Sequence, residues 1–272
     1  MRIALGIEYD GTAYNGWQRQ KTGIGVQSLV DNAITRVADE PVETVCAGRT
    51  DTGVHASAQV VHFDSSAQRP RRGWMLGVNA YLPDDISASW AAFVDDEFNA
   101  RFSATSRTYR YLILNRRVRS ALQRNRAWWI YEPLDVQAMQ QATETLLGKH
   151  DFSAFRAAGC QASTPIREIS NFQVKRSGDW LSLTVTANAF LKHMVRTIAG
   201  LLVTIGKGDE EPAWAKSVLE GRDRTRGGVT APPHGLTLIG VAYPGQFKIP
   251  TGDSRVEKYG EISWEPAPIV PC

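Results

Sequence analysis

One order of secondary-structure elements occurs twice along this chain, and this repetition limits the folds that the chain can adopt. The first copy begins with alternating apolar residues at 3–9 and ends with a strand-like run at 86–94. The second copy begins at 106–115 and ends at 236–243, with longer insertions between its elements. Both copies have the order strand, helix, strand, strand, helix, strand, so the sequence predicts two halves built on one plan.

Hydrophobic periodicity locates the other elements of each copy. Apolar residues at helical spacing predict helices, and alternating residues predict strands. In the first copy we expect strands at 42–46 and 59–63 and helices at 26–37 and 71–82. In the second copy we expect strands at 168–176 and 181–187 and helices at 135–147, 190–206 and 211–220.

These elements predict an α+β protein made of two ferredoxin-like β-α-β-β-α-β halves. We expect largely antiparallel sheets that lie side by side, helices that cover one face, and an active-site cleft at the seam. The first half spans residues 1–100 and the second spans residues 101–244. Residues 245–272 are rich in proline and weakly periodic, which is typical of a tail.

The composition argues against several classes of protein. Of the 272 residues 43% are apolar, yet no apolar run approaches the roughly 20 residues of a membrane span. Cys46, Cys160 and Cys272 lie far apart and lack C-x-x-C spacing, so we expect neither disulfides nor a zinc site. The sequence therefore predicts a cytoplasmic protein with free thiols and no membrane segment.

A block of arginines interrupts an otherwise balanced distribution of charge. The net charge is only +3, but residues 101–126 contain eight arginines and no Asp or Glu. Arginine binds phosphate bidentately and stacks on bases. The block is interleaved with aromatic residues that include Tyr109, Tyr111, Trp128 and Trp129. This pattern favours nucleic-acid binding over a membrane surface, and a solvated strand and loop is the alternative.

A short loop at 47–56 separates two strand-like runs and contains a single carboxylate, Asp51. Asp51 lies between Arg49 and a Gly-Val-His turn. A nearby arginine keeps a carboxylate ionised at neutral pH, and a nucleophile must be ionised. Asp51 is therefore a candidate nucleophile, although Asp, Thr and Gly are also ordinary turn formers.

The second half offers partners for this carboxylate. Tyr109 shares one strand face with Arg107 and Tyr111, because alternate residues of a strand point the same way. Arg196 lies just off the apolar stripe of its predicted helix, where a charge is costly unless it meets a carboxylate such as Asp51. The alternative is that Arg196 extends to solvent at the helix edge.

The histidines do not suggest a metal site. His55 and His62 are isolated from cysteine and carboxylate partners, so we predict structural roles for both. His150 and His193 occur in other motifs of the chain, and no proton-transfer role follows for them from the sequence.

Seven short motifs resemble, in the same order, those of the tRNA pseudouridine synthase A family. They are 9–18 (YDGTAYNGWQ), 47–56 (AGRTDTGVHA), 98–104 (FNARFSA), 107–111 (RTYRY), 148–152 (GKHDF), 190–196 (FLKHMVR) and 231–236 (APPHGL). Together they extend over most of residues 1–244. A match on this many separate motifs is far more specific than one glycine-rich or Asp-containing signature.

The resemblance implies an isomerase that converts uridine to pseudouridine in the anticodon stem-loop of tRNA, at positions 38, 39 and 40. It implies neither a cofactor nor a metal. By the match, Asp51 is the catalytic carboxylate and Arg196 pairs with it. Tyr109 would stack on the target base, and Leu236 would form an apolar wall of the uracil pocket.

A uridine in a stem must leave its stack before Asp51 can reach it, so the resemblance also implies base flipping. Arg49 would occupy the space that the base leaves. The protein would then recognise the shape and phosphates of the stem-loop more than its sequence. The expected phosphate contacts are Arg69, Arg71, Arg72, Arg107, Arg110, Arg116 and Arg117. The family also implies a homodimer in which one tRNA touches both subunits.

Two other functions compete with this interpretation. One is a non-catalytic tRNA-binding protein on the same fold, which the intact Asp51, Tyr109 and Arg196 argue against. The other is a hydrolase with Asp51 as a covalent nucleophile. A phosphate-ester hydrolase would need a second carboxylate nearby to hold a metal, and the loop 47–56 supplies none.

Overall fold

The alternating residues of the sequence form strands that pair into one sheet in a computed structural model, which describes residues 1–20 and 22–250. The strands are β1 (Arg2–Tyr9), β2 (Val45–Cys46), β3 (His55–Asp64), β4 (Ile86–Val94), β5 (Ser106–Asn115), β6 (Trp128–Ile130), β7 (Gly148–Asp151), β8 (Ile166–Ser177), β9 (Trp180–Ala187) and β10 (Leu236–Ala242). The helices are α1 (Val26–Ala38), α2 (Arg71–Asn79), α3 (Val136–Glu144), α4 (Met194–Gly206) and α5 (Trp214–Gly221).

The sheet has the strand order β4-β1-β3-β10-β5-β9-β8-β7. Neighbouring strands are antiparallel along β4-β1-β3 in the first half and along β10-β5-β9-β8 in the second. Each half therefore has the order expected of a ferredoxin-like unit. The predicted α+β fold is confirmed.

The seam between the halves is a parallel pair of strands. Thr237 lies opposite His55, and Leu238 lies opposite Ala56, so β10 extends the edge of β3. The two predicted sheets are thus continuous rather than merely adjacent. Strand β2 is shorter than the predicted 42–46, and its two residues pair only with the far part of β3. The start of β3 remains open to β10.

A row of buried side chains crosses this seam on one face of the sheet. Tyr9 lies opposite Ala56, Ala56 opposite Leu238, and Leu238 opposite Tyr109, which in turn lies opposite Val185. All five are buried. Directly opposed residues share a face, so the row forms a single apolar layer beneath the loop that carries Asp51.

The chain after β10 begins by packing on the body of the protein. Phe247 contacts Phe98 edge to face at 5.2 Å between ring centroids, and Ile249 is buried. The remainder of the predicted tail, residues 251–272, lies outside the described residues. Within 1–20 and 22–250, no helix has the length and apolar character needed to cross a membrane.

Candidate active site

Asp51 lies in the loop that joins β2 to β3, and hydrogen bonds fix the backbone around it. The buried Thr50 hydroxyl pairs with the Tyr9 hydroxyl at 2.8 Å, and the Trp17 amide donates to the Thr50 carbonyl at 3.0 Å. Gly16 approaches so closely that a Cβ there would lie 2.6 Å from the Thr50 oxygen. The loop is therefore held against the segment that follows β1.

The start of the same loop is held from both halves of the protein. The fully buried Gln59 amide donates to the Gly48 carbonyl at 2.6 Å and accepts from the Gly48 amide at 3.3 Å. From β5 of the second half, Arg107 donates to the Ala47 carbonyl through Nε at 3.2 Å and Nη2 at 2.9 Å. These contacts fix where Asp51 faces.

Two basic side chains from the start of α4 meet the Asp51 carboxylate. Arg196 Nη1 and His193 Nε2 each lie 3.6 Å from Asp51 Oδ2. Arg196 is oriented by its Nε, which donates to the Ala231 carbonyl at 2.8 Å. The structure thus brings Arg196, which the sequence placed off the apolar stripe, to the loop of the other half.

His193 is a site residue that the sequence reasoning missed. It precedes α4 in a left-handed conformation, with φ of 62° and ψ of 2°. Burial lowers the pKa of His193. The charge of Asp51 opposes this shift, and the charge of Arg196 adds to it. The imidazole is therefore neutral at pH 7. Nothing in the apolar periodicity signals this backbone turn, so no pattern would have found it.

Tyr109 lies on β5 beside the loop and is buried. Its ring meets the Phe190 ring edge to face, at 5.1 Å between centroids and 86° between planes. Burial, with a smaller contribution from the charge of Asp51, raises the pKa of Tyr109. The phenol therefore stays protonated. Leu236, the first residue of β10, is also buried and lies opposite Tyr111.

Arg49 forms a contact between the two halves of the protein. Its side chain is exposed at the loop surface, and its Nη1 donates to Gln161 Oε1 at 2.8 Å. Gln161 belongs to the connection between β7 and β8 of the second half. This contact joins the two sides of the site next to Asp51.

His55 is not isolated from carboxylates, contrary to what its sequence context suggested, because its Nδ1 lies 3.1 Å from Asp10 Oδ1. Its Nδ1 accepts from the Gly11 amide at 3.0 Å, and its Nε2 lies 2.8 Å from the Asn125 carbonyl. Beside it, Arg126 Nη2 pairs with Asp10 Oδ2 at 2.7 Å. The connection between β5 and β6 is thereby attached to the first half.

Two of the predicted phosphate-binding arginines have other surroundings. The Arg107 guanidinium donates to the carbonyls of Ala47, Arg101, Ala104 and Asn188. Because its donors are occupied, Arg107 ties the backbone together and is not free to bind phosphate. Arg110 is half-buried on the opposite face of β5 from Tyr109, so the sheet separates it from the cleft.

The other predicted phosphate contacts lie away from Asp51. Arg69, Arg71 and Arg72 are exposed at the start of α2. Helix α2 follows the far end of β3, about 30 Å from the Asp51 loop for a ten-residue strand. Arg117 is exposed after β5, and Arg116 lies 3.7 Å from Asp179. The two groups lie at opposite ends of the sheet, because β10 runs parallel to β3 and antiparallel to β5. Neither group is part of the Asp51 cluster.

Comparison with known proteins identifies the family. The family model described as tRNA pseudouridine synthase matches residues 6–103 and 142–244. These segments include Asp51, His193, Arg196 and Leu236, whereas Tyr109 falls between them. A curated relative named tRNA pseudouridine synthase A from Pseudoalteromonas atlantica is 53% identical over 92% of this chain and 95% of its own.

Proteins of the same name from Coxiella burnetii and Pseudomonas aeruginosa are each 51% identical over 92% of this chain. The matches cover 95% and 88% of those two proteins. Identity at this level over nearly the whole length extends the common activity, isomerisation of uridine in tRNA, to this enzyme. The chain belongs to the tRNA pseudouridine synthase family.

Proposed function

We propose that Asp51 is the catalytic carboxylate of this isomerase and that the target uridines are those at positions 38, 39 and 40 of the anticodon stem-loop. The observation that carries the proposal is the meeting of Asp51 with Arg196 at 3.6 Å across the seam of the two halves. The two side chains come from opposite halves of the sheet, so the fold places a cation beside the candidate nucleophile. The loop contacts from both halves hold that carboxylate in place.

An ionised Asp51 has two ways to promote the reaction. It attacks a carbon of the nucleotide as a nucleophile, or it stabilises the electron-poor ribose that forms when the base leaves. In both cases Arg196 balances the charge of the free carboxylate. Both routes need the uridine outside its stack, so the enzyme flips the base into the cleft.

Tyr109 stacks on the flipped uracil in this account, and Leu236 forms the apolar wall beside it. Stacking needs an open face on the ring, whereas Tyr109 is only 8% exposed. The cleft therefore widens when RNA binds. The contact of Arg49 with Gln161 spans the two sides, and its opening frees Arg49 to fill the space that the base leaves in the stem.

The outlying arginines bind the tRNA backbone in this proposal. Arg69, Arg71, Arg72, Arg116 and Arg117 contact phosphates at a distance from the reacting base, and binding weakens as salt rises. Their distance from Asp51 suits a homodimer in which one tRNA reaches both subunits. The enzyme acts in the cytoplasm, where its free cysteines remain reduced.

Release of tritium from C5 of uridine tests the proposal. Wild-type protein and Asp51→Ala are incubated, without added metal, with tRNA labelled at C5 of uridine. We expect release by the wild type, none above background by Asp51→Ala, and equal tRNA affinities for the two proteins. Release by Asp51→Ala at more than a tenth of the wild-type rate would refute the role of Asp51.

Substituted tRNAs test the positions. Transcripts that carry cytidine in place of uridine at 38, 39 and 40 should release no tritium while uridines elsewhere remain. Undiminished release from such a transcript would show that the enzyme modifies another region of tRNA.

A further inference from the structure

The reaction itself requires a base near Asp51. Conversion of uridine to pseudouridine breaks the bond between N1 and C1′ and forms a bond between C5 and C1′. The C5–H bond must then break, and N1 must gain a proton. A group beside the reacting ribose must accept the proton that leaves C5, and no cofactor is needed for this transfer.

We propose that His193 accepts the proton that leaves C5 of the uracil and returns a proton to N1. Its Nε2 lies 3.6 Å from Asp51 Oδ2, and its side chain is 29% exposed. The inference rests on the proposed role of Asp51, because that role places the ribose beside His193.

The other groups around Asp51 are unsuited to this task. Arg196 is a cation and has no acceptor atom. Tyr109 remains a protonated phenol because burial raises its pKa. Burial likewise raises the pKa of the Cys46 thiol to about 11. A free carboxylate is a much weaker base than a neutral imidazole.

The His193 ring is free to act. Within residues 1–20 and 22–250, neither of its nitrogens has a hydrogen-bond partner. His55 provides the contrast, since both of its ring nitrogens contact backbone groups, at Gly11 and Asn125. A partly exposed imidazole without a partner, next to a carboxylate, is arranged to take up a proton.

The charges that face His193 suit a base that works near neutral pH. Burial and the cations Arg196, Lys192 and Arg224 lower the pKa of His193, and Asp51 opposes them. The imidazole is therefore neutral and ready to accept a proton. Once it is charged, the adjacent Asp51 carboxylate stabilises the imidazolium until the proton passes to N1.

The backbone at His193 permits a clean test. A left-handed residue is strained unless it is glycine or, to a lesser degree, asparagine. His193→Gly therefore removes the ring without disturbing the start of α4, and it leaves a space that free imidazole can fill. His193→Asn keeps the backbone but fills part of that space, so it serves as the matched control.

Tritium release from C5 is measured for each variant with and without added imidazole. We expect the rate for His193→Gly to fall by about 10²-fold or more, the usual contribution of a general base. Added imidazole should raise the rate of His193→Gly at least tenfold. It should not stimulate the wild type, His193→Asn or Asp51→Ala. The tRNA affinity of His193→Gly should stay within twofold of the wild-type value.

The pH profile provides a second measurement. The wild-type rate should fall as pH decreases through the lowered pKa of His193, because the imidazole becomes charged and can no longer accept the proton. This acidic limb should be absent from His193→Gly without imidazole. A slow His193→Gly that imidazole does not rescue, or one that keeps more than half of the wild-type rate, would overturn the inference. Activity in Asp51→Ala would instead refute the proposed function, so the two failures are distinguishable.

Discussion

The two halves of this protein share one order of elements but differ at one equivalent connection. In the first half β2 has two residues, and the long loop that follows it contains Asp51. In the second half β8 has 12 residues and turns directly into β9, with Gly178 at φ of 56°. One connection is an open loop with a carboxylate, and the other is a tight hairpin.

The difference shows how a duplicated fold acquires a single site. Because β2 pairs only with Val61 and His62, the start of β3 is free to accept β10. This junction brings β5, with Tyr109, and the start of α4, with Arg196, next to the Asp51 loop. In the second half, β8 pairs along β9 and leaves no such edge. The shortened strand is therefore what assembles the site.

A large effect is expected from breaking the contact that crosses between the halves. Arg196→Met removes the guanidinium that faces Asp51, and we expect the isomerisation rate to fall by about 10²-fold or more, as for loss of a preorganised charge donor. Tritium release under single-turnover conditions measures this. Arg196→Lys keeps the charge but loses the Nε hydrogen bond to the Ala231 carbonyl. Its rate should therefore lie between those of the wild type and Arg196→Met. A rate for Arg196→Met within threefold of wild type would contradict the role of this contact.

A smaller effect is expected from removing the tie between β5 and the Asp51 loop. Arg107→Met leaves the carbonyls of Ala47 and Asn188 without a partner, and we expect a loss of about 1–3 kcal/mol in the free energy of unfolding. Urea denaturation measures it. The matched control is Arg117→Met, an exposed arginine whose replacement should change stability by less than about 0.5 kcal/mol. Equal stability of the two variants would show that Arg107 does not join the halves.

The smallest expected effect is a change in how stability depends on pH. It concerns the equivalent strands β3 and β9, of which only β3 contains histidines. Burial lowers the pKa of His62 from its ordinary value of 6.5. The unfolded chain therefore binds a proton at His62 before the folded protein does, and stability is lost as pH falls below about 6.5.

His62→Asn tests this, because asparagine retains an acceptor for the Ala100 amide, which donates to His62 Nδ1 at 3.1 Å. Denaturation curves at several pH values should show a shallower decline for the variant than for the wild type. Parallel declines would assign the pH dependence to other groups.

The strongest patterns of the sequence predicted the elements well. Alternation in β9 and the broad apolar stripe of α4 each indicated a structure that the fold contains, because both elements bury a regular face. Strands β6 and β7 were missed, since three or four residues carry too little periodicity to be recognised. The pairing of β10 with β3 is a contact between distant segments, which local patterns do not specify.

The candidate site was predictable only where a residue type already suggested its chemistry. Asp51 and Arg196 were identified because a carboxylate in a loop and a charge beside an apolar stripe both call for a partner. His193 was missed because its position depends on a left-handed residue before α4. Arg107 was predicted to bind phosphate, but the sequence does not indicate that four carbonyls surround it.

The central claim is that Asp51 acts as an anion at the seam between the halves. Only the first half has the open connection that places a carboxylate there. The most direct measurement compares two substitutions that remove a charge without changing shape, Asp51→Asn and Asp179→Asn, at equivalent connections of the halves. In single-turnover tritium release we expect Asp51→Asn to lose more than about 10³-fold, as for loss of a catalytic group that acts in a unit. Asp179→Asn should stay within twofold, and both should bind tRNA like the wild type. A rate for Asp51→Asn above a tenth of the wild-type value would contradict the account.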